Sequence, residues 1–166
     1  PRVNILQPGP GVGGHCIAVD PWFIVDSAPD ATPLIQAARE VNDGKPGRIV
    51  ETLKIITNEM NNPTIACLGL AYKADIDDLR ESPAVEITLS IASQTDGTVL
   101  VVEPHIQYLP SNLAEMRNIQ LADLQRAYDA ADVIILLTDH SQFRDLPPAP
   151  RADQKVIDTR GAWRNT

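Results

Sequence analysis

Cysteine is scarce: only Cys16 and Cys67 occur among 166 residues. Two thiols, one in a glycine-rich loop and one in an apolar run, cannot build the disulfide framework of a small secreted domain, so a reducing cytoplasm is the expected setting. Long hydrophobic runs are missing too, and nothing approaches the roughly 18 residues of a membrane span. The opening, PRVNILQPGP, has neither the basic nor the apolar region of a secretory signal, and its lack of an initiator methionine reads as a piece of a longer chain. Positive charge is thin: 14 Lys and Arg stand against 22 Asp and Glu, for a net charge of −8. The basic residues are scattered singly, which argues against nucleic acid, where phosphate contacts need clustered cations. Metal-ligand pairs are also lacking, since His15 and Cys16 are adjacent and no second pair completes four ligands. No metal site is predicted. There are no internal repeats and no low-complexity tracts.

What is present is an ordinary globular composition, 43% hydrophobic and 22% charged. The length suits one domain, or one compact domain with a helical appendage. Apolar residues at helical spacing from Leu34 to Met60 predict one kinked helix or two consecutive helices, interrupted by Gly44, Pro46 and Gly47. At Asn61 the texture changes, and a new domain is expected over residues 62–166 after a first unit of residues 1–61. Thr64–Leu70, Thr98–Pro104, Asp132–Asp139 and Lys155–Gly161 read as strands, with a brief one at Asn118–Gln120. A helix opens at Ser82 and Pro83, with Ser82 as its N-cap, and another spans Leu121–Ala131. Alternating strands and helices predict an α/β fold, a Rossmann-like doubly wound parallel sheet. Ligands in such sheets bind at the carboxyl ends of the strands. The polar loops Ala71–Ser82, Thr138–Arg144 and Thr159–Arg164 are therefore expected on one edge. Cys67, midway along its strand, reads as inert core.

The stretch GPGVGGHCIAVDPWF, from Gly9 to Phe23, asks for chemistry. Gly9, Gly11 and Gly14 satisfy G-x-G-x-x-G, but a dinucleotide site needs a helix opening at the third glycine. Pro21 and β-branched residues follow instead, and no helix is predicted there. Two readings stay open: a tight turn around a buried structural thiol, or a flexible loop presenting the Cys16 thiolate, with Asp20 four residues on.

This stretch resembles the cysteine loop of the UDP-glucose/GDP-mannose dehydrogenase family, and GLAYKADIDDLRESPAVEI, from Gly69 to Ile87, resembles its C-terminal signature. REVND (Arg39–Asp43), VVEP (Val101–Pro104), DHSQF (Asp139–Phe143) and the closing VIDTRGAWR extend the similarity over nearly the whole chain. The resemblance implies a three-part enzyme: an NAD-binding Rossmann domain, a central helical dimerisation domain, and a C-terminal domain for the nucleotide sugar. Of these the chain carries the end of the second and all of the third, so it is expected to be inactive alone. The implied reaction oxidises the sugar's primary alcohol to a carboxylate using two NAD. Cys16 is implied as its nucleophile, and Asp20 as the group orienting the thiol or the hydrolytic water. Gly13, Gly14 and His15 would accommodate the sugar, unless His15 points the other way. Lys73 would meet the diphosphate and Arg160 the nucleotide. Arg80 would lie near the cofactor, with Asp77, Asp78 and Glu81 as ion-pair partners, a purely structural network being the rival. His140 and Phe143 would shape the nucleotide pocket, or Phe143 would pack in the core. The helix Thr32–Met60 would serve a homodimer. The rival function is a nucleotide-sugar-binding or dimerisation module without chemistry.

Overall fold

The computed structural model describes residues 7–144 and 150–163. Its centre is a five-stranded parallel sheet built from β1 (Thr64–Leu68), β2 (Thr98–Val102), β3 (Ile119–Leu121), β4 (Val133–Leu136) and β5 (Lys155–Asp158), in the order β3-β2-β1-β4-β5. The α/β doubly wound class is the one predicted. β1 lies at the middle, with Cys67 opposite Val101 on one side and Ile135 on the other.

Both faces of the sheet are covered, which is why its strands read as continuous apolar runs rather than alternating ones. Ile65, Cys67, Val99, Val101, Val133 and Ile135 point to one face. They meet Ile87 and Ile91 of α4 (Pro83–Gln94) and Val50 and Leu53 of α3 (Lys45–Thr57). Ala66, Leu68, Leu100, Val102, Ile134 and Leu136 point to the other, against Ala127 of α6 (Leu124–Ala130) and Phe143 of α7 (Ser141–Arg144). A short helix, α5 (Ser111–Ala114), contributes the buried Leu113.

The kinked-helix expectation resolves into two helices, α2 (Pro33–Asp43) and α3, meeting at Gly44. Pro46 lies in the first turn of α3, where its missing N–H breaks no helical hydrogen bond. Strand ends depart from expectation because side chains set them. β1 stops at Leu68, since Gly69 turns the chain at φ 89°, where a Cβ would strike Thr138. β3 starts one residue later than predicted because the Asn118 amide donates to the carbonyls of Ala92, Thr95 and Gly97 at the end of α4. α6 starts at Leu124 because Asp123 caps it, accepting from the Arg126 N–H at 2.8 Å.

One expectation is overturned. A helix does follow the glycine loop: α1 (Asp20–Ser27), with Pro21 in its first turn. Proline there loses only an N–H that a helix start leaves unpaired. No residue of α1 is buried, so no amphipathic period announced it. Among the described residues no helix is long and apolar enough to cross a membrane.

Candidate functional site

In the strand order, β1 leads to β2 on one side and β4 lies on the other, so the carboxyl ends of β1 and β4 flank a topological switch point, the usual crevice for ligands in such sheets. Three loops converge there. The loop after β1 is anchored by the Thr138 hydroxyl, which donates to the Ala71 carbonyl at 2.6 Å, and by Ser82, which donates to the Leu70 carbonyl at 2.6 Å. Ser82 also accepts from the Ala84 N–H and so caps α4, as the sequence predicts. After β5, the Asp158 carboxylate gathers the N–H groups of Arg160, Gly161 and Trp163. This tight turn aims Arg160 back at the loop after β4, where its Nε donates to Asp139 Oδ1 at 2.8 Å.

The glycine loop lies against these loops and against α2. A Cβ at Gly13 would collide with the Glu81 carbonyl and stand 2.7 Å from the Pro83 ring, and one at Gly14, where φ is 88°, would meet the Tyr72 ring at 2.9 Å. Only glycine permits this approach. From the other side α2 tethers the loop: the Val12 N–H donates to Asn42 Oδ1 at 2.8 Å, and Arg39 reaches the Ile17 carbonyl at 3.4 Å while pairing with Asp43 at 2.6 Å. The REVND segment is thus a buckle for the cysteine loop. Arg39 Nε, buried, has no hydrogen-bond partner among the described residues.

Between the glycine loop, α2 and the loop after β1 lies a cavity of about 670 Å³. Lys45, Lys73 and Arg160 all line it, as do Gly13, Asn42 and Tyr72. Neither lysine pairs with a carboxylate among the described residues. Three cations meeting at one cavity in a chain of net charge −8 mark a place for an anion. Lys45 escaped sequence reasoning, because a lone lysine opening a helix looks like any solvated one.

Cys16 is exposed, in the loop that walls this cavity. Gly13 and Ile17, on either side of it, line the cavity; Gly14, His15, Cys16 and Asp20 are not among its lining residues. The Cys16 carbonyl accepts the N–H groups of Val19 at 3.0 Å and Asp20 at 2.8 Å, and Asp20 sits exposed in the first turn of α1. The buried-thiol reading therefore belongs to Cys67 alone. Its side chain is fully enclosed, and burial pushes the thiol up to about 12, with a hydrogen bond to Thr88 only partly offsetting this.

Arg80 forms a forked pair with Asp78, at 2.9 Å and 2.6 Å. Of the three acids expected beside it, only Asp78 pairs with it among the described residues. The Arg80 side chain and N–H hold the Asp78 carboxyl down at about 2, and Asp78 in turn raises Arg80. His15 and Cys16 lie in the electrostatic neighbourhood of this pair. Arg80 is nonetheless 65% exposed, with its face open beside the thiol loop.

His140 does not line the cavity, which corrects the expectation that it shapes it, and Phe143 takes the core position that was its alternative. Both are fully buried; Phe143 packs beneath the sheet and His140 is enclosed in hydrogen bonds. Its Nδ1 accepts the Asp75 N–H at 2.9 Å and its Nε2 stands 3.0 Å from Glu103 Oε2. Ligand atoms of Asp75, His105 and His140 lie within 4.8 Å of one another, a grouping that sequence spacing did not reveal. Both His140 nitrogens are already engaged, and the Asp75 carboxylate accepts from Ser141, so these groups serve hydrogen bonds.

Comparison with known proteins agrees with this geometry. The UDP-binding-domain model of the UDP-glucose/GDP-mannose dehydrogenase family matches residues 66–165, and the family's central-domain model matches residues 1–44. An NDP-N-acetyl-D-galactosaminuronic acid dehydrogenase of Ralstonia nicotianae is 56% identical over 98% of this chain and 38% of its own length. A UDP-N-acetyl-D-mannosamine dehydrogenase of Salmonella typhimurium is 52% identical over 99% of this chain and 40% of its own. The solved UDP-N-acetyl-mannosamine dehydrogenase of Staphylococcus aureus superposes with a TM-score of 0.76 at 36% identity, over all of this chain and 38% of that one. The chain thus spans about two fifths of the length of these relatives. With its carboxyl-edge cavity, its glycine loop and more than half its residues shared with such relatives, the chain belongs to the UDP-glucose/GDP-mannose dehydrogenase family.

Proposed function

We propose that this chain is the thiol-bearing and nucleotide-sugar-holding part of an NAD-dependent UDP-N-acetyl-D-mannosamine 6-dehydrogenase. The observation that carries the reading is the meeting of Lys45, Lys73 and Arg160 at one cavity walled by the Cys16 loop. Diphosphate is the anion that suits them, because a point-charge lysine and a guanidinium oriented by Asp139 complement adjacent phosphoryl groups. Residues 1–61 then act as the thiol loop and the end of the helical dimerisation domain, and residues 62–166 as the UDP-sugar domain. The 56% identity to a relative named for N-acetylgalactosaminuronic acid supports a second sugar, and UDP-glucose and UDP-N-acetylglucosamine are further rivals.

NAD, held mainly outside this chain, would supply the hydride acceptor for each of the two oxidations. The residues present fit an approach by that cofactor, since Arg80 is exposed beside the thiol loop and can turn a cation outward. Within the chain, the Cys16 thiolate adds to the aldehyde carbon to give a thiohemiacetal. After the second oxidation the carbon is a thioester, which water cleaves to the carboxylate and free thiol. Asp20, one helical turn from the thiol, orients that water. Gly13 faces the sugar from the cavity wall, and Gly14 lets the loop that carries His15 and Cys16 pack against Tyr72 beside it. The cytoplasm suits a nucleophile that must stay reduced.

Titrating the 166-residue chain with UDP in a calorimeter tests the reading. Weak saturable binding is expected, with no turnover on adding NAD. Absence of heat at millimolar UDP would overturn it. The rival module without chemistry is separated by assaying the complete enzyme, where Cys16 must matter.

A further inference from the structure

Lys73 sits on a segment that the sheet does not hold. β1 ends at Leu68; in the loop beyond it the Tyr72 N–H donates to the Asp78 carbonyl, and the buried N–H groups of Leu70 and Ala71 have no strand partner. Glu103, just past β2 and buried, supplies their acceptors. Its Oε2 accepts from Leu70 at 2.7 Å and Ala71 at 3.0 Å, and its Oε1 from the His105 N–H at 3.1 Å. The same Oε2 faces His140 Nε2 at 3.0 Å. Because His140 Nδ1 accepts the Asp75 N–H at 2.9 Å, the ring proton belongs on Nε2, donated to Glu103. Asp75 closes the chain by accepting from the Ser141 N–H at 2.8 Å. The rings of His105 at 5.0 Å and Phe143 at 5.4 Å flank the imidazole.

The segment bearing Lys73 is therefore gripped at Leu70 and Ala71 on one side and at Asp75 on the other. The grip crosses the switch point, from the end of β2, under β1, to the loop after β4. An apolar pair could fill the same volume but would leave the N–H groups of Leu70, Ala71, Asp75 and His105 without these acceptors, the first two of them buried. We propose that Glu103 and His140 are positioning residues for the cavity, a buried clasp that holds Lys73 where the diphosphate of the nucleotide sugar lies. The proposal rests on the reading of that cavity given above.

The test compares UDP affinity and amide exchange in the 166-residue chain for the parent, His140→Ala, His140→Asn and Phe143→Leu. In His140→Asn the carboxamide oxygen takes the place of Nδ1 toward Asp75. Phe143→Leu loosens the same short helix and removes the ring edge beside the imidazole, but leaves every hydrogen bond of the clasp in place. His140→Ala is expected to weaken UDP binding by about tenfold or more, as misplacing one charged contact does, and to speed exchange at Asp75 while β4 stays protected. His140→Asn should recover much of both, and Phe143→Leu should bind UDP like the parent. Equal losses in Phe143→Leu and His140→Ala would reduce the clasp to general stability and overturn it, as would unchanged affinity in His140→Ala. If His140→Ala does not fold, His140→Asn against Phe143→Leu carries the same comparison. If the parent itself ignores UDP, the nucleotide reading falls, and the clasp then stands or falls on whether exchange at Asp75 follows the His140 substitutions.

Discussion

Cys16 and Cys67 are the same side chain in opposite surroundings, and the contrast shows what decides reactivity. Cys67, fully enclosed beneath α4 with its thiol at about 12, is never ionised near neutrality. Cys16 stands exposed on a loop made of glycines. In the complete enzyme Cys16→Ser is expected to abolish uronate formation while leaving UDP affinity intact, whereas Cys67→Ser should leave turnover in place and cost stability. Assaying both variants checks this, and substantial activity in Cys16→Ser would remove it from the nucleophile's role. Glu103 yields a second prediction. Burial pushes its carboxyl up, but the N–H groups of His140, Leu70 and His105 outweigh burial and leave it below the ordinary range. A carboxyl lowered by folding adds stability above its unfolded pKa, about 4.3 for glutamate, and loses it as pH falls through the folded value. Denaturation of Glu103→Gln should therefore show lower stability at neutral pH and a shallower acid decline than the parent. Asp75, lowered by Ser141, and Asp78, lowered by Arg80, remain in the variant and account for the slope left over. Identical slopes in both proteins would refute the assignment.

Among the elements, the strands were legible because a parallel sheet buried on both faces leaves an unmistakable apolar run. Their ends were not, since Gly69, Glu103 and Asn118 set them through contacts far apart in sequence. α1 was missed outright for want of a buried face, while α2 and α3 were read correctly as helical from apolar residues at helical spacing, although of these only Val50 and Leu53 are buried and Leu34 and Val41 lie exposed. The site was legible in the same uneven way. Lys73 and Arg160 were nominated through motif position and do line the cavity, whereas Asn42 entered only as part of the REVND segment, with no role, and Lys45 belongs to no pattern. His140 misled, because a histidine in a polar loop after a strand looks like a ligand contact when it is a buried brace. The buckle between α2 and the cysteine loop gives a prediction at this scale. Asn42→Ala removes the acceptor of the Val12 N–H, at a cost of about 1 kcal/mol. It should weaken UDP binding and speed proteolysis between Gly9 and Cys16, with the sheet intact by circular dichroism. Unchanged cleavage would show that the loop holds itself.

For the whole molecule, the exposed apolar side chains on the helical end call for a cover. Phe23 is 67% exposed, Leu34 81% and Ile55 79%. Such surface on α1, α2 and α3 is where a second copy or the rest of a complete enzyme would pack. Sedimentation of the 166-residue chain is expected to give twice the chain mass at high concentration, shifting toward a single chain in Leu34→Glu. A single-chain mass at every concentration would oppose pairing through these helices. In a chain of net charge −8 the cationic cavity is an island that anions reach against the general field.

The contact of Gly13 with Glu81 and Pro83 reaches further than the fit of one loop. It plants the post that carries the sulfur and the post that carries the phosphate-seeking lysine in a single slab. Under the proposed function, any swing that brings a hydride acceptor over the sugar would move both posts together, so the span from thiol to lysine would stay fixed and hexoses that share it would have to be told apart by other contacts.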